Sequence, residues 1–242
     1  HRNRGPLLDL SSNGLVAGLG AADRALLQKR CEPVELQAGT VLSRPGEPGN
    51  HVYFLVGATV ACVVQGSNGA SLALALVGRD GAAGLQLALG LGAGNFTWLV
   101  QTGGSAWRAD SAAMHRLAQR RSAVLLAFSR HLWTASEQVA SLAARAQSHD
   151  IKARLAGWIL LSAQQGNVSE LQLTHEHLAA MLGVRRVSVT LAAAELRAAR
   201  LVAYQRGRLR VLDWAGLEAT AQGLGQPQEQ SGERSAAQDA PP

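Results

Sequence analysis

The side chains of this sequence that could take part in recognition chemistry are concentrated between residues 171 and 214. That stretch holds seven arginines against three carboxylates, those of Glu176, Glu195 and Asp213. A guanidinium offers several N–H donors in a fixed fork, which suits phosphate oxygens and the acceptors on the edge of guanine. The formal net charge of the 242-residue chain is +6, but the local clustering is more informative than that total. The stretch is typical of a surface that meets the phosphate backbone of a nucleic acid.

These side chains need a rigid support, and the sequence predicts two short helices joined by a tight turn. The Thr174 hydroxyl can cap the first helix, and Gly183 permits the backbone conformation that ends it. The second helix is predicted over about residues 186–200. Its predicted buried stripe is Val189, Ala192, Ala193, Leu196 and Ala199. Two helices joined by a short glycine-containing turn predict a helix-turn-helix, whose second helix enters the major groove of DNA.

A β-hairpin is predicted directly after the second helix. Apolar runs at residues 201–204 and 209–212 flank the segment Gln205-Arg206-Gly207-Arg208, and a glycine in such a turn is a hairpin signal. We interpret this hairpin as the wing of a winged helix-turn-helix. Arg206, Arg208 and Arg210 of the wing are candidate phosphate contacts.

An enzyme and a scaffold are the alternative interpretations. Catalysis would need a nucleophile–base or carboxylate constellation, and the sequence has neither a Ser/His/Asp signature nor a phosphate-binding loop. His175 and His177 are two residues apart, whereas metal-ligating histidines on a helix stand four apart. We therefore expect no catalytic residue and no metal site. A ligand-binding β-roll module or scaffold with only non-specific affinity for DNA stays open as the alternative.

Cysteine usage and hydropathy define the expected setting of the protein. Cys31 and Cys62 form neither a disulfide framework nor an iron–sulfur or zinc spacing. No apolar run of about 18 residues is present, and no signal-peptide pattern opens the chain. These observations predict a cytoplasmic protein that does not enter a membrane. The segment 221–242 is rich in Gly, Pro, Gln and Ser and is expected to be disordered.

Residues 32–110 have a different character from the arginine-rich stretch. They contain seven short Val- and Leu-rich runs separated by turns. Strands at roughly ten-residue spacing predict an all-β sandwich or barrel. Helices are then predicted over residues 112–119, 122–147 and 151–164, and the last of these begins the C-terminal domain.

The long helix over residues 122–147 is the predicted site of subunit pairing. Its apolar residues recur at alternating steps of three and four, a heptad pattern suited to a parallel partner helix. The predicted dimer interface is Leu125, Phe128, Leu132, Val139 and Leu142. Packing of this helix on its own β-domain is the alternative, and Leu126, Trp133 and Leu142 are expected to serve that packing. A break near residues 148–150 is expected to act as a hinge.

In this order, the elements resemble the Crp/Fnr superfamily of bacterial transcription regulators. Two stretches carry the resemblance. Gly39-Thr40-Val41-Leu42, then Gly46-Glu47, Tyr53-Phe54-Leu55 and Gly57 are similar to the β-roll pattern G-x-x-L, G-[DE], Y-x-L and G. Leu173-Thr174 through Gly183, with Arg185-Arg186 and Ser188-Val189, is similar to the DNA-reading segment, in particular that of members with L-G-V-R-R-x-S-V-T. The resemblance covers about residues 7–219.

The resemblance implies an α+β fold with an N-terminal β-roll (double-stranded β-helix), a long dimerisation helix and a C-terminal winged helix-turn-helix. The implied boundaries are 1–121 for the effector domain, 122–149 for the dimerisation helix and hinge, and 150–220 for the DNA-binding domain. It also implies a homodimer that binds double-stranded DNA, regulates transcription and contacts RNA polymerase. An effector at the β-roll would act through the hinge on the DNA-binding domains.

Residue roles also follow from the resemblance. Arg186 matches the arginine that reads guanine at the start of the recognition helix, a contact worth about 1–3 kcal/mol of discrimination. Ser188 matches a hydroxyl that contacts phosphate, and Thr174 and His175 match contacts to the DNA backbone. The full set of candidate DNA contacts is Thr174, His175, Arg185, Arg186, Val187, Ser188, Thr190, Arg206, Arg208 and Arg210.

Three positions depart from the best-known members of the family. Val187 stands where they have Glu and could touch a thymine methyl instead. Leu191 stands where they have a second Arg, so the sequence of their DNA target is not expected here. Arg185 occupies the usual serine cap position of the recognition helix and is expected to contact a phosphate.

The cyclic-nucleotide clamp of the family is also altered. Binding members have a Gly-Glu pair for the ribose and an Arg followed by Ser or Thr for the phosphate, whereas this sequence has Gly84-Leu85 and Asn95-Phe96. A phosphate buried in a β-roll needs that Arg, so we expect no cyclic nucleotide. We also expect no iron–sulfur or haem cofactor. The candidate effector-pocket residues are Gly84, Leu85, Asn95, Phe96 and Thr97, for an unknown small molecule or for none.

Overall fold

The computed structural model describes residues 9–47, 49–66, 69–92, 94–147 and 150–223. A 3₁₀ turn (Leu10–Ser12) and helices α1 (Gly14–Ala17) and α2 (Ala21–Gln28) come first. The Asn13 side chain caps α1 and donates to the carbonyl oxygens of Leu55 and Gly81 at 2.7 and 2.8 Å. Because Asn13 is fully buried, these hydrogen bonds fasten the N-terminal helices to the β-domain.

In the described part of the chain, eight strands form two antiparallel four-stranded sheets. The strands are β1 (Cys31–Leu36), β2 (Val41–Ser43), β3 (His51–Leu55), β4 (Thr59–Gln65), β5 (Ser71–Val77), β6 (Ala82–Ala83), β7 (Thr97–Thr102) and β8 (Gly104–Asp110). The strand order is β1-β8-β3-β6 in one sheet and β2-β7-β4-β5 in the other. Leu55, Val60 and Val100 are among the buried residues of the core between them. The seven predicted strands are confirmed, and β6 is an addition.

Three helices complete the N-terminal half: α3 (Leu85–Ala88), α4 (Ser111–Arg120) and the 25-residue α5 (Ser122–Ala146). The Asp110 carboxylate caps α4 by accepting from the backbone N–H of Ala113 at 2.8 Å. The predicted short and long helices are therefore confirmed.

One face of α5 packs on the chain's own domains, and it includes residues predicted to pair two subunits. Phe128 is fully buried in the N-terminal core, with its ring centroid 6.2 Å from that of Phe54. Leu132 packs against the same core, and Leu142 packs against the C-terminal domain. The predicted interface role of Phe128 was therefore wrong. A heptad pattern shows that a helix has an apolar face, but not whether that face meets its own domain or a partner.

The opposite face of α5 is unexpectedly apolar. Leu126 and Trp133, predicted to pack on the β-domain, are 50% and 68% exposed, so that prediction was also wrong. Leu125 is 42% exposed, and Val139 is half-buried. The exposed stripe of α5, formed by Leu125, Leu126 and Trp133, is the apolar surface that this helix leaves uncovered.

The C-terminal domain combines helices with a small sheet of strand order β10-β11-β9. Its elements are α6 (Ile151–Gly166), β9 (Glu170–Gln172), α7 (His175–Leu182), α8 (Arg186–Ala198), β10 (Val202–Gln205), β11 (Arg208–Val211) and α9 (Trp214–Ala221). The predicted α6, helix pair and hairpin are confirmed. Strand β9 and helix α9 were not predicted, although Asp213 carries a cap signal for α9 and accepts from the backbone N–H of Gly216 at 3.0 Å. The predicted α+β class is likewise confirmed.

The C-terminal domain packs directly on the outer face of the β4–β5 sheet. Ala61 and Val63 of β4 share one apolar core with Leu155 and Ile159 of α6. Val60 belongs to the inner core of the β-domain, so β4 is buried on both faces. Residues 148 and 149 of the predicted hinge at 148–150 lie outside the described residues, as does most of the predicted disordered tail. Among the helices that are described, none is long and apolar enough to span a membrane.

Candidate nucleic-acid interface

The ends of the two helices have the geometry that the sequence predicted. The Thr174 hydroxyl oxygen accepts from the backbone N–H of His177 at 3.1 Å. Gly183 has a φ of 65°, in the left-handed region that favours glycine, and it ends α7. Arg185 takes the N-cap position of α8 but makes no side-chain cap hydrogen bond. The first N–H groups of α8 are therefore left without a side-chain acceptor, which suits an anion such as a phosphate.

Helix α8 packs by the face that its periodicity predicted. Val189, Ala192, Ala193 and Leu196 are buried against the rest of the domain. Ala199 is exposed because the helix ends at Ala198, so its predicted place in the buried stripe was wrong. On the other side, Arg185, Arg186, Val187 and Thr190 are exposed, and Ser188 is half-buried.

His175 holds α8 against the preceding helix and the wing. Its Nδ1 lies 2.9 Å from the Thr190 hydroxyl oxygen, and that hydroxyl donates to the Arg186 carbonyl oxygen at 3.1 Å. A hydroxyl has one proton to donate, so Thr190 accepts from His175. The imidazole also lies 4.6 Å from the ring of Tyr204, between ring centroids. Burial, followed by the charge of Arg186, lowers the pKa of His175.

The wing exposes one arginine in its turn, Arg206, and two on one face of β11, Arg208 and Arg210. The turn residues Arg206 and Gly207 have φ values of 50° and 79°. Positive φ at both central residues is what a two-residue hairpin turn of type I′ requires. Arg208 and Arg210 are exposed, while the alternating residues of the strand are buried. One guanidinium N–H group of Arg208 lies 3.5 Å from a carboxylate oxygen of Glu170. The three predicted wing contacts are therefore all accessible to a ligand.

A buried polar cluster joins the β-domain to this helix-turn-helix, and no sequence pattern predicts it. Gln101 of β7 is 4% exposed, and its amide N–H donates to the Ser162 hydroxyl at 3.0 Å. Its carbonyl oxygen accepts from the Trp158 indole N–H at 3.2 Å and lies 3.2 Å from Nε2 of His177. Burial lowers the pKa of His177. One side chain of the β-domain thus holds both α6 and α7.

A cleft in the β-domain contains part of the predicted effector pocket. Gly84 and Phe96 line it together with Tyr53 and Trp98, around about 470 Å³ of empty space that includes open solvent. Among the residues described, the ionisable side chains of this lining are the carboxylate of Glu47, the imidazole of His51 and the phenol of Tyr53, with no guanidinium or ammonium.

Three predicted pocket residues lie elsewhere. Leu85 is 1% exposed and packs in the N-terminal core, so a pocket role for its side chain was wrong. Asn95 is exposed and Thr97 begins β7, and neither lines the cleft.

Cys31 and Cys62 are both free thiols. Burial raises the pKa of Cys31 and of Cys62 to about 12, so both are protonated near neutral pH. Within the described ranges, no group of three or more His, Cys, Asp or Glu side chains is arranged to hold a metal ion.

Comparisons with known proteins identify the C-terminal domain and the fold. Residues 153–220 match the family described as the Crp-like helix-turn-helix domain. The solved structure of FixK2 from Bradyrhizobium japonicum matches with a TM-score of 0.67 at 12% identity, covering 81% of this chain and 98% of that chain. TTHB099, a CRP-family transcriptional regulator from Thermus thermophilus, matches with a TM-score of 0.65 at 24% identity, covering 78% and 96%. CLP, a c-di-GMP-responsive global regulator from Xanthomonas campestris, matches with a TM-score of 0.65 at 15% identity, covering 80% and 100%. No curated protein sequence matches the chain significantly.

Proposed function

We propose that this chain is a DNA-binding transcription regulator of the Crp/Fnr type, acting as a homodimer. The observation that carries the proposal is the exposed first turn of α8, where Arg185 and Arg186 stand at the free N-terminus of a packed helix. The match of residues 153–220 to the Crp-like helix-turn-helix domain supports it, because the second helix of such a domain enters the major groove. The likeness in fold to TTHB099, a CRP-family transcriptional regulator, supports the arrangement of the whole chain.

Each arginine has a distinct proposed role at the DNA. Arg186 reads a guanine with two parallel hydrogen bonds, and Arg185 holds a phosphate beside it. Arg206, Arg208 and Arg210 place the wing on the phosphate backbone, which fixes position without reading sequence. The remaining candidate contacts are Thr174, His175, Val187, Ser188 and Thr190. His175 acts chiefly by holding Thr190, since its Nδ1 is already engaged there.

The proposed homodimer pairs two copies of α5 through its exposed stripe. Leu125, Leu126 and Trp133 would lose contact with water there, which stabilises the pair by removing apolar surface from solvent. Ser129 and Ala140 continue the stripe as small exposed residues that allow two helices to approach closely. A two-fold pair of this kind would present two α8 helices to half-sites about one turn of DNA apart.

We further propose that the β-domain cleft takes no cyclic nucleotide. The carboxylate of Glu47 would repel a phosphate, and the described lining offers no guanidinium or ammonium to pair with one. CLP is described as responsive to c-di-GMP, and the same charge argument opposes that anion in this cleft. A neutral or cationic small molecule is compatible with the aromatic side chains Tyr53, Phe96 and Trp98. RNA polymerase is the further partner that a regulator of this type would contact.

Selection of bound sequences from a random pool of duplex DNA tests the proposed function. The expected result is an inverted repeat, with a guanine in each half-site and half-sites about one helical turn apart. A scaffold with non-specific affinity for DNA is the alternative function, favoured only by the basic surface. The selection would contradict the proposal, and support that alternative, if it recovered no preferred sequence. Added salt would then weaken binding to all DNA sequences by the same factor.

A further inference from the structure

The exposed face of α8 is apolar along its centre. Val187, Leu191, Ala194 and Ala198 follow one another at intervals of four, three and four residues, and all four are exposed. They lie directly opposite the buried stripe of the same helix. Val187 is 69% exposed and Leu191 63%, among the largest values for large apolar residues in the described chain. We call these four residues the apolar ridge of α8.

The surroundings of the apolar ridge indicate what covers it. Arg185 and Arg186 stand at its N-terminal end, and Arg197 is exposed along one edge. On the other edge, the exposed carboxylate of Glu195 is paired with Lys152 at 3.3 Å. Positive charge at the end and along one edge of an apolar strip suits a polyanion that has apolar groups at its centre. The major groove of DNA is such a surface, with phosphates on both rims and the C5-methyl groups of thymine as its apolar feature. An uncharged protein surface would leave the arginines at the end of the ridge without partners.

We infer that Val187 and Leu191 read the methyl groups of thymines next to the guanine read by Arg186. This inference rests on the proposed function and specifies the DNA that it recognises. Val187 and Leu191 are four residues apart, about 6 Å along the helix axis, while neighbouring bases of one strand are about 3.4 Å apart. The two side chains therefore reach methyl groups within about two base steps of each other. Ala194 and Ala198 are small, and they let the second half of α8 lie close to the rim of the groove.

The test uses the full-length protein and the duplex obtained by selection from the random pool. Each thymine of a half-site is replaced in turn by deoxyuridine, which removes the methyl group and leaves the base pairing intact. The wild-type protein is expected to lose about threefold to fivefold in affinity at two positions, the effect of withdrawing one buried methyl group. The variant Val187→Ala is expected to lose its sensitivity to uracil at one of these positions, and Leu191→Ala at the other. Leu212→Ala, which truncates an exposed leucine outside α8, serves as the matched control and should keep both sensitivities.

The possible outcomes separate this inference from the proposed function. If the protein selects a preferred sequence but binds it equally well with uracil at every thymine position, the inference about Val187 and Leu191 is wrong, while the proposed function still stands. Equal uracil sensitivity in wild type, Val187→Ala and Leu191→Ala would also overturn it, and would assign the apolar ridge to a protein partner instead. Failure to select any sequence would overturn both. Circular dichroism of each variant checks its folding. General unfolding would also change the response to uracil at both thymine positions, so a variant that loses its sensitivity at only one of them is still folded.

Discussion

Arg186 and Arg208 are exposed arginines of one domain, yet the structure gives them different neighbours. Arg186 lies in the first turn of α8, and its carbonyl oxygen accepts from the Thr190 hydroxyl that His175 holds in place. Arg208 lies on the wing, and one of its guanidinium nitrogens is 3.5 Å from a carboxylate oxygen of Glu170. A side chain on a braced helix can select a base, whereas one on an exposed strand supplies charge.

The substitution Arg186→Ala should therefore relax the sequence preference, and Arg208→Ala should not. We expect Arg186→Ala to reduce discrimination at one base pair by about 1–3 kcal/mol. We expect Arg208→Ala to weaken binding to all sequences by a similar factor and to reduce the slope of log affinity against log salt by about 1. Fluorescence anisotropy with matched and mismatched duplexes at several salt concentrations measures both effects. Arg116→Ala, an exposed arginine on α4, is the control and should change neither.

Three histidines with depressed pKa values make stability depend on pH. Burial lowers the pKa of His131, His175 and His177 below the ordinary value of 6.5. Between the lowered value and 6.5, the unfolded chain binds more protons than the folded chain, so the free energy of unfolding rises with pH. We predict that this contribution is fully present above about pH 6.5 and is lost as the pH falls through the folded pKa values. Urea unfolding at pH 7.5 and at pH 5 measures it, and a smaller difference is expected for His177→Gln. Equal stability at both pH values would contradict the prediction.

At the scale of elements, α5 shows what sequence periodicity resolves and what it leaves undecided. The extent of the helix and the presence of an apolar face follow from the spacing of Leu125, Phe128 and Leu132. Which face meets the β-domain depends on the position of Phe54, which is far away in the sequence and contacts Phe128 only in the folded chain. Caps and turns were predicted correctly because they depend on residues that are close in sequence. The Thr174 cap, the Gly183 turn and the hairpin at Gly207 are examples.

The substitutions Phe128→Ala and Trp133→Ala should separate folding from pairing. Phe128→Ala removes a fully buried ring and should destabilise the chain by about 3–5 kcal/mol. Trp133→Ala removes an exposed ring, so we expect little change in the stability of one chain but a shift from dimer to monomer. Urea unfolding and sedimentation equilibrium measure the two properties. A Trp133→Ala protein that stays dimeric at the lowest measurable concentration would contradict the assignment of the exposed stripe of α5. Leu91→Ala, which truncates an exposed leucine outside α5, is the control.

At the scale of the whole molecule, Gln101 connects the two domains through three partners. The variant Gln101→Leu should leave the Trp158 indole N–H, the Ser162 hydroxyl and Nε2 of His177 without their buried partner. An unsatisfied buried polar group costs about 1–3 kcal/mol, so we expect a clear loss in the free energy of unfolding. Urea denaturation measures it. Gln65→Leu on β4 is the matched control, because Gln65 is exposed and its bond to Ser71 lies at the surface. Equal losses for the two variants would contradict the proposed role of Gln101.

The docking of the two domains could have been anticipated from one feature of the sequence. Strand β4 is apolar at every position from Val60 to Val64, without the alternation of a strand that has one wet face. Such continuous runs are typical of strands that are buried on both sides. The identity of the covering element could not be read in this way, because α6 lies about ninety residues further along and its own apolar face has no unique partner.

The core shared by β4, β5, α6 and α7 has a consequence for dissecting this protein. A fragment that began at residue 150 would expose Leu155, Ile159 and Met181 to water, because they share their core with residues of the β-sheet. Such a fragment should aggregate or stay partly molten, whereas the intact chain should unfold in one step because the two domains share this core. Replacing the C-terminal domain with that of another protein would accordingly require transplanting the sheet surface beneath it as well.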